Sequence, residues 1–391
     1  MILYFLWMAI QFVFGFFLIN PFLLLIFHYF ASKKTLLSIS ECESDYAIIV
    51  TAYEQTNLLP SVVNSILKLN YSNFVVYIVA DNCDVSNLYF SDPRVVVLRP
   101  ETVLASNIKS HLYAIEKFTR DHEYLTIIDS DNLVDPDYIK ELNVYFDNGF
   151  LSVQGVRKAK NLDTKYACLD EAGDMFYRLI DRKLLFDLGS SASLAGSGMA
   201  FTASFYKQCI SALDIEGAGF DKALQMEILR RGEQIAFAEK AIVYDEKTSN
   251  PKQLVNQRAR WINAWFKYAK KGISLAGMGI VKLNWNQFAC GVVFTKPPIF
   301  ILVAITSVIM LVNLFIMPTM LIFWGAAIVS FIVVFMYALS YFKAPRVIYQ
   351  SLASIPLFIF YQVKGLFKAK KANQISTATT HAYVSEIDDL N

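Results

Sequence analysis

Three short polar segments each follow an apolar run, and their residue types suit the binding of a nucleotide and a cation. They are Thr51-Ala52-Tyr53-Glu54, Asp81-Asn82-Cys83-Asp84 and Asp129-Ser130-Asp131. Carboxylates at positions i and i+2 can turn towards one hard cation, and Mg²⁺ or Mn²⁺ held in this way completes its shell with substrate phosphates. An aromatic ring such as Tyr53 can stack on a base, and the Asp81 carboxylate can accept from a base N–H. Asp also occurs in ordinary turns, so the Asp-x-Asp pattern alone does not predict a site.

The elements around these segments predict a mostly parallel sheet with helices on both faces. Strands are expected over residues 46–50, 74–80, 94–98 and 124–128, alternating with helices over residues 60–69 and 107–118. Ligands of such sheets bind beyond the carboxyl ends of the strands. The three polar segments are therefore expected along one edge of one sheet, which favours a binding site over three unrelated turns.

Asp221 follows the glycine-containing segment Gly217-Ala218-Gly219-Phe220 and precedes a helical pattern that ends at Gly232. A carboxylate in this position can take a proton from an incoming hydroxyl group. Alternatively, Asp221 is the N-cap of the helix, where Asp contributes about 1 kcal/mol to helix stability. On this motif alone, capping is the favoured interpretation.

Residues 257–261 (Gln-Arg-Ala-Arg-Trp) lie in a helix predicted over residues 251–272. Arg258, Trp261 and Trp265 fall on one face of this helix. Tryptophan stacks on sugar rings, and arginine binds diphosphates through paired contacts. The other interpretation is a basic, aromatic helix at a bilayer surface, and the two can hold for different faces.

Two long stretches without Asp, Glu, Lys or Arg predict membrane-spanning helices on either side of the polar region. They are residues 1–32 and 297–342. About 20 helical residues cross a hydrocarbon core of about 30 Å, so the second stretch is long enough for two spans, with a turn at Met317-Pro318. Because Lys33 and Lys34 follow the first span, the positive-inside rule places the polar region in the cytoplasm.

The predicted organisation has six parts. A transmembrane helix (1–32) precedes a cytoplasmic catalytic domain (40–271), an interfacial helix region (272–296) and two transmembrane helices (297–342). Residues 347–371 are expected to form an interfacial or re-entrant helix, because a crossing would place the lysines after residue 363 outside. Residues 373–391 form a polar tail, expected to be poorly ordered unless it folds back.

Taken in order, the motifs resemble those of the family-two glycosyltransferases. The resemblance is to the membrane polysaccharide synthases related to cellulose, chitin, hyaluronan and poly-N-acetylglucosamine synthases. It covers residues 46–271 and, with the flanking spans, nearly the whole chain. It rests on Val-Thr-Ala-Tyr-Glu (50–54), Ala-Asp-Asn-Cys (80–83), Asp-Ser-Asp (129–131), Gly-Ser-Gly (196–198), the Asp221 helix and Gln-Arg-Ala-Arg-Trp.

The resemblance implies a GT-A fold (a Rossmann-like, mostly parallel α/β domain flanked by transmembrane helices) and inverting transfer from a UDP-sugar. It makes Asp221 the general base, in place of the capping role. Asp131 and Asp129 would hold Mg²⁺ or Mn²⁺. The nucleotide sugar would contact Thr51, Tyr53, Glu54, Asp81, Lys109, Asp129, Arg258 and Arg260. The acceptor would contact Gly196, Ser197, Gly198, Gln257 and Trp261.

The chain departs from the family's pattern at four places. The second loop is shorter by one residue around Cys83-Asp84, and Lys109 matches only approximately the lysine that often follows the third strand. Phe220 precedes Asp221 where the family commonly has Glu, and Glu54-Gln55 stands where Asn-Glu is common. The sequence therefore predicts the reaction more firmly than the donor, which is expected to be UDP-GlcNAc or UDP-glucose.

The expected product is a growing β-linked polysaccharide made by a multi-pass plasma-membrane protein, as a homo-oligomer or with a partner subunit. One alternative is transfer of a single sugar to a lipid carrier or glycolipid, and another is a non-catalytic partner subunit. A net charge of +2 without a basic stripe argues against nucleic-acid binding. The polar region between the spans, and the absence of charges within them, argue against a transporter.

Overall fold

The computed structural model describes residues 1–31, 43–213, 219–371 and 383–390. The polar region folds around a mixed sheet with strand order β3-β2-β1-β4-β7-β6-β8-β5. The strands are β1 (Tyr46–Tyr53), β2 (Phe74–Asp81), β3 (Val95–Leu98), β4 (Tyr124–Asp129), β5 (Leu133–Val134), β6 (Ser152–Ala159), β7 (Met199–Thr202) and β8 (Ile235–Asp245). Strands β3, β2, β1 and β4 are parallel neighbours, and β6 is parallel to β8. The predicted mostly parallel α/β fold is confirmed.

Helices cover both faces of the sheet, which explains why its central strands are continuous apolar runs. Strand β2 is buried along its whole length. One face packs against α2 (Leu59–Leu67) and α4 (Tyr138–Phe146). The other packs against α3 (Asn107–Glu116), α7 (Ala203–Ser211) and α8 (Phe220–Arg230). A long helix, α5 (Lys165–Arg178), continues through a π-helical stretch, Leu179–Leu184, into the short α6 (Leu185–Asp187).

The start of α8 corrects the capping prediction for Asp221. The N-cap residue is Gly219, with a φ of 95°, and Asp221 lies in the first turn of the helix. Glycine adopts this left-handed conformation without strain, so the chain can turn sharply into α8 at this point. Asp221 is still placed favourably, because a carboxylate in the first turn interacts with the positive end of the helix dipole. Gly217 and Ala218 lie outside the described residues.

The predicted end of the 251–272 helix is also wrong. Helix α9 (Pro251–Val281) continues through Gly272, and α10 (Trp285–Thr295) folds back along it. A Cβ atom at Gly272 would lie 2.5 Å from Phe294 Cβ and 2.9 Å from the Gly291 carbonyl oxygen. The glycine therefore allows two helices to approach closely and does not end one. Residues 272–296 are the last part of α9 together with α10.

Among the described residues, three helices are long and apolar enough to cross a membrane: α1 (Ile2–Phe30), α11 (Ile299–Ile316) and α12 (Met320–Tyr341). Buried polar side chains link them. The Gln11 side-chain oxygen accepts from Asn313 Nδ2 (2.6 Å) and from Trp324 Nε1 (2.9 Å), and Trp7 Nε1 donates to Asn313 Oδ1 (3.1 Å). Hydrogen bonds of this kind join helices in an apolar environment.

The segment after α12 is divided into α13 (Arg346–Ser351), a 3₁₀ turn (Leu352–Ser354), α14 (Ile355–Lys368) and a further 3₁₀ turn (Ala369–Lys371). Helix α14 lies along α9, where Asn263 Nδ2 donates to the Ala369 carbonyl oxygen (2.9 Å). The interfacial or re-entrant placement of this segment stays a prediction.

The polar tail folds back where it is described. Its 3₁₀ turn, Ile387–Asp389, packs on α2: Ile387 is fully buried, and Glu386 accepts from Ser61 Oγ and Asn64 Nδ2. The rest of the tail, residues 372–382 and 391, lies outside the described residues.

Candidate active site

The structure brings the three polar strand ends to one edge of the sheet. Tyr53 is the register partner of Asp81 on β2, and Thr51 is the partner of Asp129 on β4. Thr51, Tyr53 and Asp81 line a cavity of about 1010 Å³. The cavity continues past α8 and α9 to residues of α11, α12 and α14. Parallel strands end at the same edge, which is why residues far apart in the chain meet here.

Asp81 stabilises the wall of this cavity. Its two carboxylate oxygens accept hydrogen bonds from the backbone N–H groups of Leu104 (2.9 Å) and Ala105 (2.7 Å). Asp81 is 2% exposed. These contacts hold the loop between β3 and α3, in which Ala105 has a φ of 45°. Ser106 and Asn107, at the start of α3, line the cavity beside Asp81. The carboxylate therefore shapes the edge at which a base is predicted to bind.

Three predicted donor-binding residues, Glu54, Lys109 and Asp129, are not among the described residues that line the cavity. Glu54 has a φ of 61°, and its Oε1 accepts from Asn82 Nδ2 (3.3 Å). A hydrogen bond to Glu54 raises the pKa of the Tyr53 hydroxyl, which keeps Tyr53 neutral. Lys109 is exposed on α3. Glu54 therefore contacts Tyr53 without lining the cavity, and Lys109 does not line it either.

Asp129 and Asp131 lie together at the end of β4. The Asp129 N–H donates to Ser197 Oγ (3.0 Å), and Asp131 is buried. Lys160 Nζ donates to the Asp131 carbonyl oxygen (3.0 Å). Burial lowers the pKa of Lys160, although the charges of Asp131 and Glu246 oppose that shift. Among the described residues, no group of three or more His, Cys, Asp or Glu side chains could hold a metal ion.

This donor set fits a divalent metal that arrives with its substrate. Two carboxylates supply hard oxygen ligands, and Mg²⁺ commonly keeps its remaining positions for substrate phosphates and water. Neither carboxylate lines the large cavity, whereas the neighbouring residues Arg157, Asp245 and Glu246 do. With two carboxylates and no third ligand of this kind among the described residues, a metal held here would need ligands from the substrate or water for the rest of its coordination shell.

The Gly-Ser-Gly segment supports the sheet beneath Asp129. Ser197 is fully buried, and Gln154 Nε2 donates to the carbonyl oxygens of Ser197 (3.1 Å) and Gly198 (3.2 Å). A Cβ atom at Gly198, whose φ is 64°, would lie 2.9 Å from Val243 Cγ2. The described lining of the cavity includes Ala195, just before the segment, and not Gly196, Ser197 or Gly198. Acceptor binding by this segment stays a prediction.

Asp221 lines the cavity together with two polar aromatic residues of α9, Trp265 and Tyr268. Tyr268 is 2% exposed, and its hydroxyl and the Trp265 Nε1 atom are buried polar atoms with no hydrogen-bond partner among the described residues. Burial, and then the negative charge of Asp221, raise the pKa of Tyr268 to about 12. All three residues line the cavity. Since buried donors are normally paired, these two groups are unsatisfied donors in the wall of the cavity that Asp221 also lines.

Sequence reasoning missed Tyr268 as a site residue. The signal was present, because Trp261, Trp265 and Tyr268 follow the i, i+4, i+7 spacing of one helix face. What the spacing did not reveal was that this face lines the same cavity as Asp221.

The Gln-Arg-Ala-Arg-Trp residues of α9 lie on the cavity wall. Arg258 forms an ion pair with Asp170 of α5, and its Cζ lies 4.1 Å from the centre of the Trp261 ring. Trp261 is 48% exposed, so its ring is accessible. Burial lowers the pKa of Arg260. Gln257 Oε1 accepts from Thr248 Oγ1 (3.4 Å). The structure brings all four predicted residues to the same cavity as Asp221.

A buried charged cluster lies between this helix and the sheet, and sequence reasoning also missed it. Lys247 Nζ lies 3.1 Å from Glu171, 3.2 Å from Asp174 and 3.2 Å from Asp245. Arg157 pairs with Asp245. Burial acts to lower the pKa of Arg157, but the charges of Asp245, Asp174 and Asp129 outweigh it and raise the pKa. The cluster therefore keeps fixed cations beside the cavity.

The sequence did contain a signal for this cluster, namely charged residues at the end of an apolar strand. Asp245-Glu246-Lys247 is a charged segment directly after the apolar strand β8. The partners on α5, however, have no recognisable spacing to it.

Comparisons with known proteins bear on the fold and the family of the chain. PcManGT, a mannosyltransferase from Pyrobaculum calidifontis in complex with GDP-Man and Mn²⁺, aligns over 93% of this chain and 98% of its own, at a TM-score of 0.54 and 12% identity. S. aureus TarS 1–349, in complex with UDP-GlcNAc, aligns over 84% and 90% at a TM-score of 0.43 and 14% identity. No curated protein matches the sequence. At these identities the likeness to PcManGT concerns the fold, which is of the GT-A type.

The sequence profile described as "Glycosyltransferase like family 2" matches residues 44–264, more than half of the chain. The matched region contains the strand-end residues, Asp221 and the Gln-Arg-Ala-Arg-Trp segment. The chain belongs to glycosyltransferase family 2.

Proposed function

We propose that the protein transfers a sugar from a UDP-sugar, UDP-GlcNAc or UDP-glucose, to a saccharide hydroxyl at the cytoplasmic face of a membrane, with inversion at the anomeric carbon. The observation that carries this proposal is the continuity of one cavity. It joins the strand edge at Tyr53 and Asp81 to Asp221 and to the Arg258 region of α9. Donor, base and acceptor can therefore occupy one connected space.

Asp221 is the proposed general base. Its carboxylate takes the proton of the acceptor hydroxyl, and the acceptor oxygen attacks the anomeric carbon from the side opposite the UDP group. The new glycosidic C–O bond forms as the bond to the diphosphate oxygen breaks, and UDP leaves. A single displacement of this kind converts an α-linked donor into a β-linked product.

The donor is proposed to bind at the strand edge, with its base against Tyr53 and Asp81. Arg258 and Arg260 then offset the charge that develops on the diphosphate. Because Arg258 is already held by Asp170 and Trp261, its charge needs little rearrangement when the leaving group departs. The Thr51 hydroxyl lies at the same edge, one strand from Asp129.

Mg²⁺ or Mn²⁺ is the proposed cofactor, and Asp131 and Asp129 are the residues that would hold it. When bound, such an ion neutralises charge on the leaving diphosphate. The solved PcManGT structure contains Mn²⁺, which supports a divalent metal in this fold.

The acceptor proposed from the sequence is a growing β-linked polysaccharide, since a tryptophan at the acceptor side suits a saccharide ring. A lipid-linked acceptor is the second candidate, and the apolar end of the cavity is the observation that favours it. Helices α1, α11 and α12 are proposed to cross the plasma membrane, with the catalytic domain in the cytoplasm. The protein is further proposed to act as a homo-oligomer or together with a partner subunit.

The test is release of UDP by the full-length protein in isolated membranes, with Mg²⁺ or Mn²⁺ and a panel of UDP-sugars plus GDP-mannose. We expect turnover with one UDP-sugar. Asp221→Asn should lower turnover by about 10²- to 10⁴-fold, as for loss of a general base. Glu227→Gln, a change of the same kind on α8 in a residue paired with Arg231, serves as the matched control and should retain activity. Turnover that survives Asp221→Asn, or none with any nucleotide sugar, would overturn the proposal.

A further inference from the structure

We propose that the C-terminal segment, residues 383–390, is a positioning element of the active site, which keeps the loop that carries Asp131 in place and so supports binding of the donor with its metal. This inference rests on the proposed function and adds a part of the chain that lies outside the family match over residues 44–264. It also gives a role to Glu246, a carboxylate on the cavity wall that the mechanism does not use.

The C-terminal segment is docked on α2 by apolar and polar contacts together. Ile387 is fully buried in the core cluster that α2 forms with the sheet, and Leu390 packs against the same cluster. Glu386 accepts hydrogen bonds from Ser61 Oγ (3.0 Å) and Asn64 Nδ2 (2.8 Å). A segment outside the main body of a domain is ordered only where contacts tie it down. These contacts therefore define one docked position.

The beginning of the C-terminal segment reaches the wall of the active-site cavity. The Tyr383 N–H donates to Glu246 Oε2 (3.1 Å), and Glu246 lines the cavity directly after β8. The same carboxylate oxygen lies 4.0 Å from Lys160 Nζ, which donates to the Asp131 carbonyl oxygen (3.0 Å). Lys160 is buried, so its ammonium group has few alternative positions. The segment is thus linked through two side chains to the backbone of Asp131.

Helix α2, on which the C-terminal segment docks, holds the other side of the same loop. Ser65 Oγ accepts a hydrogen bond from the Val134 N–H (3.0 Å) on β5, three residues after Asp131. Ser65 is fully buried and follows Asn64, which contacts the segment. Strand β5 in turn pairs with β8. The segment therefore bridges α2 and the end of β8, the two elements that hold the loop carrying Asp131.

Undocking of the C-terminal segment would loosen this loop and remove no residue from the site. Glu246 would lose one of its donors, and α2 would lose the contacts on its outer face. Small displacements are sufficient to matter here, because changes in the partners behind metal-binding residues commonly alter metal affinity by about 10- to 100-fold. Binding of the diphosphate and its metal is therefore the step that the segment should affect.

Variants at two places undock the C-terminal segment without touching the cavity. Ile387→Ser removes the buried anchor, and Val384→Ser is its matched control, because Val384 lies in the same segment and is 67% exposed. Asn64→Asp, on the surface of α2, places a second carboxylate against Glu386. Adding Glu386→Gln to Asn64→Asp restores a donor–acceptor pair with its polarity reversed.

The experiment measures binding of UDP in the presence of Mn²⁺ by titration calorimetry, with the purified full-length protein, alongside donor kinetics and the melting temperature. We expect Ile387→Ser to raise the Kd for UDP and the KM for donor by about tenfold, and Asn64→Asp by about fivefold. At saturating donor and Mn²⁺, kcat should stay within about twofold, since Asp221 is untouched. Val384→Ser and the double variant should remain within about twofold of the unsubstituted protein throughout.

An unchanged Kd for UDP in both Ile387→Ser and Asn64→Asp, with a lower melting temperature, would show that the segment only stabilises the domain. That result would overturn the inference and leave the proposed function intact. An equal loss in Val384→Ser, or no recovery in the double variant, would contradict it as well. Should Ile387→Ser fail to fold, the surface pair of Asn64 and Glu386 decides the test. If the unsubstituted protein neither binds UDP nor turns over any nucleotide sugar, the proposed function itself fails, and the inference fails with it.

Discussion

The Arg258 guanidinium stacks on Trp261: its central carbon lies 4.1 Å from the centre of the ring. The same guanidinium is ion-paired with Asp170, so it also joins α9 to α5. Both partners of the ion pair are largely buried, with side-chain exposures of 11% and 8%. The cation that is proposed to face the diphosphate is thus held from two sides before any donor binds.

This arrangement predicts that Arg258→Ala destabilises the protein more than removal of an arginine from a solvent-exposed ion pair would. Removing one partner leaves the Asp170 charge buried without its counter-ion, which costs about 3–5 kcal/mol. The double variant Asp170→Ala with Arg258→Ala should recover part of that loss, because no unpaired charge remains. Thermal unfolding of the two single variants and the double variant measures the coupling. Additive losses would show that the pair contributes nothing specific.

Tyr268→Phe tests whether the Tyr268 hydroxyl contacts the acceptor. The hydroxyl has no partner among the described residues, so its removal should change the free energy of unfolding by less than about 1 kcal/mol. If the hydroxyl binds the acceptor, kcat/KM for acceptor should fall by about tenfold, with the KM for donor unchanged.

The matched control for that variant is Tyr206→Phe. The Tyr206 hydroxyl pairs with His111 Nδ1 (2.7 Å) in the core. This change should cost about 1 kcal/mol of stability and leave acceptor kinetics unaltered. Unchanged kcat/KM in Tyr268→Phe would remove the residue from the acceptor site.

Metal removal should affect activity and not the fold. Because the described residues offer no three-ligand site, the ion is expected to bind with the diphosphate and to contribute little to stability without it. EDTA should therefore abolish transfer and leave the melting temperature unchanged, and Mn²⁺ or Mg²⁺ should restore activity. Asp131→Asn should raise the metal concentration for half-maximal activity by about tenfold. Asp137→Asn, on an exposed carboxylate, is the control; transfer that resists EDTA would contradict the metal proposal.

The stability of the catalytic domain should fall in acid because of His111. Burial lowers the pKa of His111 from 6.5 to about 3. Between those pH values the unfolded chain binds a proton that the folded protein excludes, so stability decreases as pH falls below about 6.5. At pH 5 the loss from this group is about 2 kcal/mol. His111→Gln should flatten the acid side of the stability curve, measured as melting temperature from pH 8 to 5; parallel curves would contradict the assignment.

The sequence was sufficient for the sheet and for the strand-end residues. The apolar runs that become β1, β2 and β4 are long, β-branched and followed by polar residues, and parallel strands necessarily end at a common edge. Tyr53, Asp81 and Asp129 were therefore found without a structure. The candidate spans were found in the same way, because absence of charge over some 20 residues is a property of the chain alone.

Only the tertiary structure decided what these elements face. Whether Asp221 or Gly219 caps α8 depends on the backbone turn against α9, and Gly272 lies inside a helix because α10 packs against it. Helical spacing indicates that Trp261, Trp265 and Tyr268 share a face, but not that this face lines the same cavity as Asp221. Local patterns record the periodicity of one element, whereas a site depends on contacts between elements far apart in the chain. For the same reason, the sequence could not reveal the cavity that joins the strand edge to α11, α12 and α14.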